Sequence, residues 1–371
     1  MALYSTLLQD AQSGQYPTDP PGYFAGAMGM AGADRPFLQA AWQLFCEKGL
    51  PVRVRHKEVQ ERLAGGIKQV LDDTGDPPVG CVQSHFLDSG SFSLWGKAKE
   101  YQKANGGGPY DYYDTPEHYE YLDRYAAFIK AHKAGIDYYA NVDVIPEPVK
   151  TARNQSYLEQ HGLDPVPVIH YQTDLRWLKK YIDAGYKYIA LGGLVGSMDK
   201  PECRQWLDKA FEIICETPDH LPKVKIHGFG VTAHDLLVRY PWYSVDNAAW
   251  TKVGGFGGVF IPHKRGGKFD LFQAPYILKF SNDAPERAMP GRHFHTLRAG
   301  ERAVVQEWLD QIGVPLGKLD GNNYPIEHGV TTRYIERWAA NLHYFNRLAS
   351  ALPPWPWAFR LPKRQSLGVF K

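Results

Sequence analysis

The sequence predicts an α/β protein, a (β/α)8 TIM barrel with a helical C-terminal extension. Three observations carry this expectation. From about residue 79, short apolar runs alternate with stretches whose apolar positions repeat at helical spacing, the pattern of parallel βαβ units. Nearly every candidate strand ends on an aspartate, a histidine or a glycine: Asp88, Asp143, His170, Gly192-Gly193, Gly228 and Asp246. An open doubly wound sheet concentrates its site at one switch point, whereas a barrel draws on many strand ends at one mouth. Finally, 371 residues, 44% hydrophobic and 22% charged, suffice for one large domain or two ordinary ones.

Taken in order, residues 23–28 supply a candidate first strand. Further candidates are residues 81–87, 138–142, 166–170, 186–191, 224–227 and 242–245, and residues 256–262 are a candidate last strand. Between them, residues 116–134 place Tyr121, Leu122, Tyr125, Phe128 and Ile129 at helical spacing, and residues 173–184 and 201–216 show the same habit. Residues 97–115, with Gly106-Gly107-Gly108-Pro109, are expected to form a long loop over the mouth. Residues 1–284 are expected to form the barrel with its N-terminal segment. Residues 285–371, helical and then rich in Pro and Trp, form a basic extension packed on it.

Composition narrows the class. No run of about 18 apolar residues is present, so no membrane span is expected, and no secretory signal is visible. The four cysteines, Cys46, Cys81, Cys203 and Cys215, are sparse and unpatterned, which suits a reducing cytoplasm. No C-x-x-C occurs, so no thiolate zinc site is expected. Net charge is only +2, but residues 251–371 hold 17 Lys+Arg against 9 Asp+Glu, and residues 1–250 hold 25 against 31. A basic lobe beside a mouth suits a polyanionic partner; it is equally an ordinary solvated surface.

The chemistry-bearing segments each admit two readings. Asp88, followed by Ser89-Gly90, either caps the next segment or delivers a carboxylate to the mouth. Asp143, after Asn141-Val142, is open to the same pair. Asp246 lies between Tyr243 and Trp250, and a carboxylate among aromatic walls needs a partner or a function. Gly192-Gly193 lacks G-x-G-x-x-G spacing and Gly254–Gly258 lacks G-K-[ST], so neither is a nucleotide-phosphate loop. Paired glycines either turn the chain or let a flat ligand approach the backbone. His293-x-His295 has the types for a metal site but no acidic companions.

In order along the chain stand Leu87-Asp88-Ser89-Gly90-Ser91-Phe92, Asn141-Val142-Asp143, Val168-Ile169-His170-Tyr171, Ala190-Leu191-Gly192-Gly193-Leu194, His227-Gly228-Phe229-Gly230-Val231 and Pro241-Trp242-Tyr243-Ser244-Val245-Asp246. This ordered set, spanning roughly residues 80–262, resembles the tRNA-guanine transglycosylase superfamily. The I-H-G-F-G and Y-P-W-Y-S-V-D forms look closer to its 7-deazaguanine DNA transglycosylases. The resemblance implies a barrel enzyme that exchanges guanine in DNA, alternatively in tRNA, for a free 7-deazaguanine base such as preQ0. It implies Asp246 as nucleophile, Asp88 as general acid/base, Asp143 reading the purine edge, and backbone contacts from Gly192 and Gly193. His170 falls near a position where the tRNA enzymes carry a base-contacting glutamine.

Three departures accompany the likeness. The zinc motif of the tRNA enzymes is absent, so no metal and no cofactor is expected. Ser91 replaces a second glycine in the turn. After Asp246 the chain runs Asn247-Ala248-Ala249-Trp250, unlike the tRNA enzymes. Around the mouth, Phe92, Tyr171 and Phe229 are expected to sandwich a base, and Lys264, Arg265, Lys268, Arg292 and Arg298 to meet phosphates or to be ordinary exposed cations. Two other functions fit a barrel with these ends, a nucleoside or glycoside hydrolase and a silent nucleic-acid-binding barrel.

Overall fold

Capping chemistry marks the start of several helices in this chain. In the computed structural model, which describes residues 2–6, 25–29, 85–133, 138–246, 249–320 and 325–361, strand β1 (Ala2–Thr6), β2 (Ala25–Gly29) and β3 (His85–Leu87) precede α1 (Ser91–Asn105). Helix α2 (Pro116–His132) opens on Thr115, whose hydroxyl accepts from the His118 amide, with Pro116 in the first turn where no N–H is needed. After β4 (Tyr138–Tyr139), α3 (Pro148–Gln160) repeats the device: Glu147 accepts from the Val149 and Lys150 amides, and Pro148 follows.

The alternation continues through β5 (Val168–His170), α4 (Arg176–Asp183), β6 (Tyr188–Gly192), α5 (Pro201–Ile214), β7 (Lys225–Gly228), α6 (His234–Arg239) and β8 (Ser244–Asp246). Then come α7 (Ala249–Gly255), β9 (Gly258–Ile261), the hairpin β10 (His263–Arg265) and β11 (Lys268–Asp270), β12 (Tyr276–Lys279), α8 (Ala299–Gln311), β13 (Lys318–Leu319), β14 (Pro325–Glu327) and α9 (Tyr334–Ala351).

The molecule is mixed α/β, with short strands. Among the described residues eight strands form one sheet in the order β4-β3-β2-β1-β8-β7-β6-β5, and three two-stranded sheets accompany it. A parallel bridge between Ala140 and Val166 links β4 to the chain entering β5, the strands at the two ends of that order. Strands β5 to β8 pair in parallel, as do β3 with β4 and β1 with β8, whereas β2 runs antiparallel to both its neighbours. Strands β3 to β8 therefore all end on one edge.

Period-two alternation divides the sheet's side chains between two clusters. Leu87, Tyr139, Ile169, Ile189, Leu191, Ile226 and Val245 pack with helix residues such as Leu122, Leu158, Leu178, Leu207 and Leu236. The intervening residues Phe86, Ala140, Val166, Val168, Tyr188 and Ala190 form a second cluster, edged by Tyr138, Phe229 and Tyr243. Burial of both faces explains why these strands read as nearly continuous apolar runs.

Several expected elements differ. Residues 97–105 belong to α1, not to a loop: Leu94 and Ala98 are buried on its inner side, and the helix stops at Gly106. The strand expected at 256–262 exists as β9, but it pairs antiparallel with β12 and stands outside the eight-stranded sheet. Helix α9 packs on it, and Asn341 there accepts from the Phe260 amide and donates to the Gly258 carbonyl. Strand β1, which no sequence pattern predicts, lies beside β8 instead. Residues 23–24, 46, 81–84, 247–248 and 362–371 of the expected features lie outside the described residues.

The C-terminal segment packs back on the rest. Trp338 of α9 meets Trp250 edge-on, Phe359 packs against Phe211 and Tyr240, and Trp355 donates to the Pro241 carbonyl. Cys203 and Cys215 are buried free thiols. Among the described residues no helix is long and apolar enough to cross a membrane.

Candidate functional site

The shared edge of β3 to β8 brings the carboxylates of two strand ends, Asp143 and Asp246, into electrostatic reach of a third, Asp88. Asp88 follows β3, Asp143 follows β4, and Asp246 ends β8. Burial pushes the Asp88 carboxyl up to about 7, the Asp143 and Asp246 charges push the same way, and the Ser89 and Gly90 amides bonding to it oppose them. Asp88 thus accepts from the Ser89 and Gly90 amides ahead of α1 and feels two further carboxylates.

The turn itself is held from α2. The Tyr121 hydroxyl donates to the Ser89 carbonyl at 2.6 Å, and the Ser89 and Ser91 hydroxyls lie 2.8 Å apart. Tyr125 donates to the Ala140 carbonyl at 2.8 Å, tying β4 to the same helix. Burial, followed by the nearby Asp88 charge, pushes the phenols of Tyr121 and Tyr125 far above their usual range, so both remain neutral donors.

Asp143 is placed by α3. Thr151 accepts from the Val144 amide at 2.9 Å, and Asn154 donates to the Val142 carbonyl at 2.8 Å. Asn141 reaches back to the Thr151 carbonyl at 2.9 Å. Asp143, only 6% exposed, then accepts from His170 Nε2 at 2.6 Å on Oδ2. His170 is itself buried at the end of β5. Glycines at 192 and 193 make room for that ring: a Cβ at Gly192 would come within 3.3 Å of His170 Cδ2, and Gly193 adopts φ +69°.

Asp246 is gripped from β7 and its loop. The Gly230 amide donates to Asp246 Oδ1 at 2.5 Å. Gly230 has φ +64°, a conformation that strains other residues, and a Cβ there would lie 2.7 Å from a Val195 methyl. His227 Nε2 stands 3.5 Å from the same oxygen.

The remaining expected site residues fall elsewhere around this edge or away from it. Phe229 packs edge-on to His227, with ring centres 4.5 Å apart. Phe92 is 67% exposed at the start of α1, beside Trp95. Tyr171 is buried edge-on to Trp206. Lys264 pairs with Glu307, whereas Arg265 and Lys268 are exposed on the β10–β11 hairpin. Arg292 and Arg298 are exposed, and the Arg298 amide donates to Glu301 at the start of α8. His293 has both ring nitrogens occupied, by the Ser281 carbonyl and the His295 amide. Among the described residues no group of three His, Cys, Asp or Glu side chains is placed to hold a metal ion.

A cavity of about 750 Å³ opens beside the same edge, between the β6 and β7 loops, lined by Gly196, Met198, Lys200, Arg204, Thr232 and Asp235. Arg204 is paired with Asp235 across it.

The sequence motifs contain His227 and Ser244 without giving either a task, and they leave out Tyr188. The usable signal is alternation. Lys225, His227 and Phe229 share one face of β7, so a histidine at the middle position lies among inner-cluster aromatics rather than under the helices. No protein-family model and no curated protein matches the sequence.

Proposed function

We propose that this chain is a DNA-guanine transglycosylase, a pentosyltransferase that exchanges guanine in DNA for a 7-deazaguanine base by double displacement. The observation that carries the reading is the convergence of Asp88, Asp143 and Asp246, with Asp88 holding its proton to about pH 7. The bridge from Ala140 to Val166 and the inner aromatic cluster support a closed barrel with this edge as its mouth.

In the first step an Asp246 oxygen attacks C1′ of the target nucleotide as the C1′–N9 bond breaks. Asp88 gives its proton to the departing guanine, which makes the purine a better leaving group. In the second step Asp88 takes the N9 proton of the incoming base. That base then attacks C1′, and the ester to Asp246 breaks. Two inversions give net retention, the logic of retaining glycosidases, whose carboxyls stand about 5–5.5 Å apart. An acid whose pKa lies near neutrality suits both proton transfers. The Asp143–His170 pair offers a fixed donor and acceptor edge to a purine, and the backbone at Gly192 and Gly193 allows close approach. The target base must leave its stack, at a cost of a few kcal/mol. The basic C-terminal third supplies cations for the flanking phosphates. Neither step calls for a redox group.

The test incubates the protein with guanine-containing duplex DNA and labelled 7-deazaguanine base, beside tRNA as an alternative acceptor. Label enters DNA with wild type and is lost in Asp246→Ala. Full incorporation by Asp246→Ala removes the nucleophile assignment. Label in tRNA alone moves the substrate to the tRNA branch. An abasic product without exchange makes the protein a hydrolase, and DNA binding without either product makes it a silent binder.

A further inference from the structure

Beneath Asp246 a line of buried polar groups runs across the inner face of the sheet. His227, 1% exposed, lies opposite Ser244 in the β7–β8 register and opposite Ala190 in the β6–β7 register. Its Nδ1 is 2.8 Å from Ser244 Oγ, and Ser244 Oγ in turn bonds the Tyr188 hydroxyl. Its Nε2 faces Asp246 Oδ1 at 3.5 Å. Phe86 stacks on the imidazole with ring centres 4.6 Å apart and planes at 17°, and Phe229 closes the edge. Ser244 is fully buried and Tyr188 nearly so.

Donor counting gives this line a direction. An imidazole carrying its hydrogen on Nδ1 would turn the Nε2 lone pair toward a carboxylate oxygen, which is repulsive. With the hydrogen on Nε2 the directions agree: Tyr188 O–H donates to Ser244 Oγ, Ser244 O–H donates to His227 Nδ1, and Nε2–H faces the Asp246 Oδ1 charge at 3.5 Å, an electrostatic contact longer than a hydrogen bond. The Gly230 amide approaches that same oxygen from the loop. The aromatic walls lower the local dielectric and so strengthen each of these contacts.

We infer that His227 is the positioning residue of Asp246. Its Nε2–H, with the tautomer set by Ser244 and Tyr188, holds the carboxylate in one rotamer for attack at the sugar. The role rests on the transglycosylase reading, but the geometry has a signature of its own that needs no turnover.

The experiment has two arms. In the first, the full chain is labelled with 15N-histidine and long-range proton–nitrogen spectra are recorded, with His227 assigned by its loss in His227→Gln. The expected result is an Nε2–H tautomer at neutral pH, a mixed tautomer in Ser244→Ala, and a displaced Nε2 resonance in Asp246→Asn. An Nδ1–H tautomer, or a resonance indifferent to Asp246→Asn, overturns the inference whatever the activity. The second arm is base exchange. His227→Ala lowers kcat by roughly 10- to 100-fold with KM for the free base unchanged. His227→Gln, whose amide N–H reaches toward the same oxygen, recovers much of the loss; thermal melts of both variants verify that they are folded. Full kcat in His227→Ala while Asp246→Ala is dead sinks the inference and leaves the function standing. Full activity in Asp246→Ala instead sinks the functional reading, and the spectra then decide the geometry alone.

Discussion

Asp88 keeps its proton to about pH 7 because burial and the charges of Asp143 and Asp246 oppose ionisation, while the Ser89 and Gly90 amides favour it. The same imbalance acts on folding. In the unfolded chain this carboxyl ionises near its ordinary value of 3.8. Between about pH 4 and pH 7 the unfolded state has released a proton that the folded state keeps, so stability falls as pH rises through that window and levels off above it. Asp88→Asn removes the penalty without changing the shape of the side chain. It is expected to melt with wild type at pH 4 and to be more stable at pH 8, by roughly one to four kcal/mol. If the chain is the proposed transglycosylase, base exchange should fall at the same time, since the amide cannot shuttle the proton. Urea melts at the two pH values check the sign, and equal stability at pH 8 would show that Asp88 is not held protonated. Gain of stability with loss of turnover is the pattern of a residue kept for chemistry.

At the scale of elements, Asp88 and Asp143 are each held by a helix that grips the chain beside them, and Asp246 by β7 and its loop. For Asp143 the grip is α3. Asn154 is fully buried, donates to the Val142 carbonyl and stands 3.3 Å from His118 Nε2. Asn154→Ala strands that carbonyl and is expected to cost about 1–3 kcal/mol in urea melts. If the proposed function holds, it should also weaken affinity for a free 7-deazaguanine base through the displaced Asp143–His170 pair, which calorimetry would detect. The elements carrying these residues were legible. Val168–His170 falls inside its expected segment, Lys225–Gly228 overruns its own by one residue, and α5 begins at the proline where the expected helix begins. Residues 97–105 were hidden by the glycines beside them. Those glycines end α1 rather than extend a loop, because the buried Leu94 and Ala98 anchor the helix against its neighbours. Strand β9 was legible as a strand and illegible as to partner. Val259, Phe260 and Ile261 are apolar whichever strand they meet, and it is Asn341, far along the chain, that claims their backbone.

Over the whole molecule, charge is divided along the chain, and the structure shows how part of the basic third is anchored. The β10–β11 hairpin is held on α8 by Lys264 with Glu307 and by Phe269 against Trp308. Its far end is held by His234, whose Nε2 bonds the Leu271 carbonyl at 2.8 Å. His234 begins α6, on the side of the sheet where the carboxylates lie. Arg265 and Lys268 stay exposed at the hairpin's turn. If this hairpin meets phosphates, replacing both by Ala weakens DNA binding across sequences. It also flattens the dependence of log affinity on log salt, by about 0.9 for each phosphate the protein no longer neutralises. An unchanged slope in fluorescence anisotropy would assign these cations to solvent.

By itself the sequence determined the alternation of strands and helices, the polar strand ends and the basic C-terminal third, because periodicity and composition are local quantities. The mutual placement of Asp88, Asp143 and Asp246, the Asp143–His170 contact and the line from Tyr188 through Ser244 and His227 to Asp246 were decided only by the tertiary structure. Strand register, set by packing on both faces of the sheet, decides which residues meet across strands, and burial shared by distant segments decides how their charges are felt.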